Sequence, residues 1–165
     1  MRTRRIGITA VVIAWSASSG LARAHDGDDR SRQTVIKSRT FTIAKGQCPQ
    51  LPADVEIQGL GLERTITDIE GANGDLRGTL LSRISGTATD NAGGRYTFSY
   101  QLQFRKAAPI PGTGIIVDTF RMTGTGVANG FSTFFRARVT FDAGFNPVAF
   151  ELLEQAGDPF QCDPL

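Results

Sequence analysis

Few side chains in this 165-residue chain can do acid–base, nucleophilic or metal chemistry. It has one histidine, His25, and two cysteines, Cys48 and Cys162. Without a histidine beyond residue 25, Ser-His-Asp and Cys-His catalysis lack their base, and a histidine-built metal centre lacks its ligands. No glycine-rich phosphate loop leads into a helix. The sequence therefore predicts no metal and no cofactor. Carboxylate chemistry is what remains. Asp118 is the informative acid, because the hairpin register expected from Asn129-Gly130 places it on the apolar face opposite Phe141. Desolvation there would raise its pKa and suit it to general acid or base catalysis. The plainer alternative is a strand end in water.

The cysteines lie far apart, and neither belongs to a C-x-x-C motif. In an exported protein an even count reads as a disulfide, so Cys48 and Cys162 are expected to pair. Export is expected from the first 24 residues. Arg2, Arg4 and Arg5 precede the apolar stretch 6–15, and Ala22-Arg23-Ala24 fits a signal-peptide cleavage site. The product would be secreted or periplasmic. Cleavage would remove four of the 18 basic residues and leave 14 against 16 acids, a net charge of −2. Nucleic-acid binding calls for a basic face, so that partner is disfavoured. No apolar run reaches the ~20 residues of a spanning helix, so no membrane span is expected once the signal is gone.

Residues 25–33 (HDGDDRSRQ) read as a polar, flexible N-terminal tail. His25 would become the N-terminal residue, as in the copper polysaccharide monooxygenases. The resemblance stops there, because their copper brace needs a second histidine. Asp26, Asp28 and Asp29 lack the remainder of a calcium loop.

Residues 34–165 form one domain of strands in series. Thr34–Ile43 is strand-like, 54–69 is one bent strand or two short ones, and Asn73-Gly74 marks a turn. Leu80–Thr89 leads through Asn91–Gly94 into Arg95–Arg105, which alternates strictly. Tyr96, Phe98, Tyr100, Leu102 and Phe104 share its apolar face. After Pro109 and Pro111 comes a strand from Ile115 to Ala128. Asn129-Gly130 predicts a two-residue type I′ hairpin. That register sets Asp118 opposite Phe141, Phe120 opposite Val139, Met122 opposite Ala137, Gly124 opposite Phe135, and Arg121 opposite Arg138. Phe135 would then cover a glycine that lets the sheet bend. A turn over 142–147 precedes a last strand, Val148–Leu153.

The expected fold is all-β, a small antiparallel β-barrel, with a two-sheet β-sandwich as the alternative. Full closure would remove the exposed edges, and Gly59, Gly61, Gly86, Gly124 and Gly126 suit barrel bends. The layout resembles lipocalin-like and allene-oxide-cyclase-like barrels, and that likeness implies a cup holding an apolar ligand. The Gly-x-Trp of lipocalins cannot occur beyond residue 24, since the only tryptophan is Trp15. Three functions follow in order. The first is an exported module binding a small apolar ligand in its interior between Tyr96, Tyr100, Phe120, Met122 and Phe135. The second is a non-catalytic structural or interaction domain with a filled core. The third is an isomerase- or cyclase-like enzyme using Asp118. Arg121, Arg136 and Arg138 share the outward face, where they are either a site for an anionic partner or simply solvated.

Overall fold

The computed structural model describes residues 29–72, 75–106, 112–142, 146–162 and 164. The expected signal segment, His25 and the turn at Asn73-Gly74 lie outside the described residues. The fold is all-β. Its strands are β1 (Asp29–Ile43), β2 (Ile57–Ala72), β3 (Asp75–Asp90), β4 (Arg95–Lys106), β5 (Gly112–Gly124), β6 (Ser132–Phe141) and β7 (Pro147–Ala156), followed by the short helix α1 (Pro159–Cys162). They form one antiparallel sheet in the order β1-β2-β3-β4-β5-β6-β7. Each strand pairs with its sequence neighbour, so β1 and β7 are the edges, and the sheet is not closed into a barrel. The stretch left undecided between two strands and one is the single strand β2.

The alternation read from Arg95 to Arg105 holds on β4, where Tyr96, Phe98, Tyr100 and Phe104 are buried and their neighbours are open or half-buried. The sheet curls towards this face at one end. Phe41 of β1 lies edge-on to Phe98 of β4 at 4.8 Å and to Phe120 of β5 at 5.7 Å. Phe98 stacks on Phe120 at 5.9 Å, and Phe131 meets Phe120 edge-on at 6.0 Å. Such offset and edge geometries suit the quadrupoles of the rings. Glycine makes room for them. A Cβ at Gly59, opposite Phe41, would stand 2.2 Å from the Phe41 ring. Ile43, Ile57, Ile84, Ala88 and Met122 complete this core. A second cluster, Phe104, Ile116, Val139 and Phe141, fills the other half of the same face.

Cys48 and Cys162 are disulfide-bonded, with their Cα atoms 4.6 Å apart. The bridge ties the β1–β2 loop to α1, beyond β7, and both sulfur-bearing residues are buried.

Three sequence expectations are corrected. β1 begins at Asp29, so residues 29–33 belong to the strand rather than the tail, held by pairing with β2 and by Arg30 donating to Asp68 at 2.9 Å. The two-residue hairpin at Asn129-Gly130 does not form. β5 and β6 are joined by a longer loop closed between Met122 and Phe131, where Met122 N donates to Phe131 O and Gly130 N donates to Met122 O. Asp118 therefore opposes Phe135, Phe120 opposes Thr133, and Arg121 opposes Ser132. Finally, Gly124 is covered by Tyr96, its partner on β4, and not by Phe135.

The cross-link closes a segment of 114 residues. In the chain-entropy picture, reducing it should lower stability by about 4 to 5 kcal/mol. Urea unfolding with and without reductant measures this, and an unchanged midpoint would contradict it. Phe120→Ala, at the fully buried ring on which the aromatic contacts converge, should cost about 3–5 kcal/mol.

Candidate functional site

The inward face carries a belt of polar side chains between its two apolar clusters. Alternation along β5 points Asp118 inward, as expected, and Asp118 is buried at 5% exposure. The Tyr100 hydroxyl, also buried, donates to Asp118 Oδ2 at 2.7 Å. Lys106 and Thr133 are buried on the same face. Chemically the pair is a carboxylate with a phenolic donor, enclosed by Phe120 and Leu102, which stand across from Tyr100 and Asp118 respectively.

A second acid group sits across the sheet on β2. Glu63 is buried and accepts from Arg39 Nε at 2.5 Å, from Ser82 Oγ at 2.8 Å and from Thr65 Oγ1 at 3.2 Å, with Lys37 Nζ 3.4 Å away. Burial pushes its carboxyl up, but the bonds from Arg39 and Ser82 and the charges of Arg39 and Lys37 outweigh it. The net effect holds Glu63 below its ordinary value. Lys37 faces Glu63 directly in the register, and Arg39 faces Gly61 one position along, where no side chain blocks its reach.

A third group closes the far end of the core. Asp90 ends β3, and its Oδ1 accepts from Ala92 N and Gly94 N, which shapes the turn into β4. Its Oδ2 accepts from the Tyr96 hydroxyl at 2.5 Å, and Tyr96 in turn accepts from Ala128 N at 3.2 Å. The bond from Tyr96, followed by the backbone donors, holds the Asp90 carboxyl below its ordinary range. Burial and this bond push the Tyr96 phenol up. The network pins the β3–β4 turn to the β5–β6 loop, so its role is architectural.

The structure brings four of the five expected ligand-lining residues together. Tyr96, Tyr100, Phe120 and Met122 belong to the first apolar cluster. Phe135 packs elsewhere, stacked on Phe160 at 5.4 Å and tilted against Phe150 at 6.4 Å. Phe150 and Phe160 are both exposed. The described residues line open depressions, two of which lie on the outer side of the sheet. One, of about 570 Å³, is lined by Thr87, Thr89, Arg95, Thr97 and Thr123 with Ala88, Tyr96 and Gly124. The other, of about 380 Å³, lies against Thr40, Thr42, Gln58 and Leu60.

The three arginines do not form one patch. Arg138 pairs with Glu151 at 2.7 Å, Arg136 faces Glu154 across the β6–β7 ladder, and Arg121 lies two strands from β7, between Ser99 and Ser132. Sequence reasoning missed Glu63, because its stretch of chain could not be assigned a face, and missed Tyr100 as the partner of Asp118. Period-two alternation continued along β2 from Ile57 would have pointed Glu63 inward. Among the described residues, no group of three or more His, Cys, Asp or Glu side chains is placed to hold a metal.

Tyr100→Phe and Asp118→Asn should each destabilise the protein by about 1–3 kcal/mol, as expected when a buried hydrogen bond is lost or weakened. The double variant should cost clearly less than the two combined, because they share one interaction. A double-mutant cycle by urea unfolding decides, and strict additivity would contradict the coupling. Asp90 gives a pH signature. Its folded-state pKa lies below the ordinary 3.8, so the stability it contributes is present above that value and is lost as pH falls through the folded pKa. Tyr96→Phe should therefore shrink the stability lost as pH falls below about 4, read from urea midpoints across the acid range. The chain matches no protein-family model, no curated protein and no solved structure.

Proposed function

We propose that this is an exported, non-catalytic interaction domain with a filled core, acting through its surface in an oxidising compartment. One observation carries the proposal. The aromatic side chains that would line an interior cup are packed against each other, with Phe120 at 0% and Met122 at 1% exposure and ring centroids 4.8 to 6.0 Å apart. Ligand pockets run to about 300–1,000 Å³, and the two depressions described above open on the outer side of the sheet, with exposed threonines prominent in their linings. The buried Asp118, bonded through Oδ2 to Tyr100, and the buried Glu63, bonded to Arg39, Ser82 and Thr65, fit as structural parts of the inner face. The Cys48–Cys162 bridge suits an oxidising, exported environment.

A second function keeps one observation in its favour. Phe135, expected to touch an apolar ligand, lies in a partly exposed aromatic group with Phe150 and Phe160, and an apolar molecule would find contact area there. Native and denaturing mass spectra of the oxidised protein from a native-like host separate the two. The expected native mass is that of the chain alone, lighter by the two hydrogens lost to the disulfide. A larger native mass that falls on denaturation would overturn the filled-core role in favour of the ligand.

A further inference from the structure

We propose that the outward face of β3, β4 and β5 is a docking surface for a carboxylated polysaccharide. The proposal rests on the surface-acting role above and names the surface and its partner. Outward positions from Thr79 to Thr89, from Arg95 to Arg105 and from Thr113 to Thr123 include Arg83, Arg95, Arg105 and Arg121, and not one Asp or Glu. Within residues 79–124 the acids of these strands, Asp90 and Asp118, point the other way, into the core. On β2 the nearest outward neighbour of Arg83 is Arg64, directly across the ladder. All five arginines are exposed, and among the described residues no ion pair ends on any of them.

Like charges set opposite each other on a sheet are destabilising, so a face that holds Arg64 against Arg83 is one that an anion would relieve. Guanidinium groups suit carboxylates in particular, through paired, parallel hydrogen bonds. Most side chains between the arginines are hydroxyls and amides, with Leu81, Ile115 and Val117 half-buried among them. Ser85 faces Ser99, Thr87 faces Thr97, and the hydroxyls of Thr97 and Thr123 lie 3.2 Å apart. These offer both donors and acceptors to sugar hydroxyls. Both open depressions lie on this face and share Thr87 and Thr89.

Shape and composition select the polymer. Arg95 and Arg105 stand at opposite ends of β4, about 33 Å apart at ~3.3 Å per residue, a span that fits an extended chain better than a single small anion. Single-stranded nucleic acids are held by aromatic stacking platforms, and no outward side chain of these three strand segments is aromatic. A carboxylated sugar polymer needs charge and hydrogen bonds without stacking, and this surface supplies both.

The test is binding of the oxidised protein to sodium alginate, with neutral dextran and a charge-matched single-stranded DNA beside it. The wild type should bind alginate at low ionic strength, weaken as salt rises through the screening range, and ignore dextran. Arg83→Gln/Arg121→Gln should bind at least tenfold more weakly, while Arg136→Gln/Arg138→Gln, on β6 at the same side of the sheet but set against Glu154 and Glu151, should stay within twofold. Both variants carry the same charge change at exposed sites, and a matching circular dichroism spectrum confirms their fold. Absence of alginate binding by the wild type, equal loss in the two variants, equal binding to dextran, or tighter binding to the DNA would each overturn the proposal. A ligand released in the mass spectra would instead sink the filled-core role and leave these outcomes unaltered.

Discussion

The structure depends on one contact made across the sheet rather than along it. Hydrogen-bonded ladders join each strand only to its neighbours in sequence, and by themselves they specify a ribbon of seven strands with an open face. Phe41 changes that. From the edge strand β1 it reaches Phe98 and Phe120, three and four strands away, and holds the curl that excludes water from the first core. Gly59 beside it and Gly61 below Phe98 leave the space the rings occupy, and a methyl at either position would collide with them. The disulfide works on the same end of the sheet, fastening the loop after β1 to α1. Hydrophobic closure and covalent closure therefore act together at one end.

How much of this the sequence discloses follows from the difference between parity and register. Side chains alternate with a period of two, so a run such as Arg95–Arg105 declares its buried face without any knowledge of its partner. The β5–β6 ladder is displaced by six residues from the arrangement that an Asn-Gly hairpin would give. Six is even, so Phe120, Met122, Val139 and Phe141 still face inward although each meets a different neighbour. The turn was misread for a physical reason outside the dipeptide. Thr125 N bonds to Arg95 O, Tyr96 covers Gly124 and Gly126, and the Tyr96 hydroxyl accepts from Ala128 N. These keep the chain on β4 past the end of β5. Asn129 is then left to accept from Gly124 N within the loop.

The same distinction explains which chemical groups were legible. Asp118 faces inward although the register that placed it opposite Phe141 is not the one formed, because an even displacement preserves parity. Its bond to Tyr100, by contrast, depends on the β4–β5 register, which no turn motif announces. The arginines failed for the complementary reason. Arg121, Arg136 and Arg138 share a face, as alternation requires, but adjacency is a matter of register. The true ladder gives Arg138 to Glu151 and leaves the like-charged neighbours as Arg64 and Arg83. The cysteine pair was readable from count and compartment, because two thiols admit one intramolecular pairing.

The open edges show the cost of incomplete closure and how the sequence limits it. An unpaired strand edge invites another chain to pair with it. Among the described residues β1 meets that hazard with charge, since Arg30, Arg32, Lys37 and Arg39 stand exposed along it. β7 meets it with shape. Register breaks at Arg136/Ala137 and Thr140/Phe141 interrupt its ladder with β6, and such bulges twist an edge away from regular pairing. They also account for a strand whose apolar residues do not alternate, with Val148 and Leu153 falling at the irregular positions. Charge is thus distributed by strand and by face. Glu63, Asp90 and Asp118 turn inward on β2, β3 and β5, bonded by Arg39, Tyr96 and Tyr100, while Arg64, Arg83, Arg95, Arg105 and Arg121 turn outward. A nearly balanced total charge conceals that separation, because alternation sends neighbours in sequence to opposite sides of the sheet.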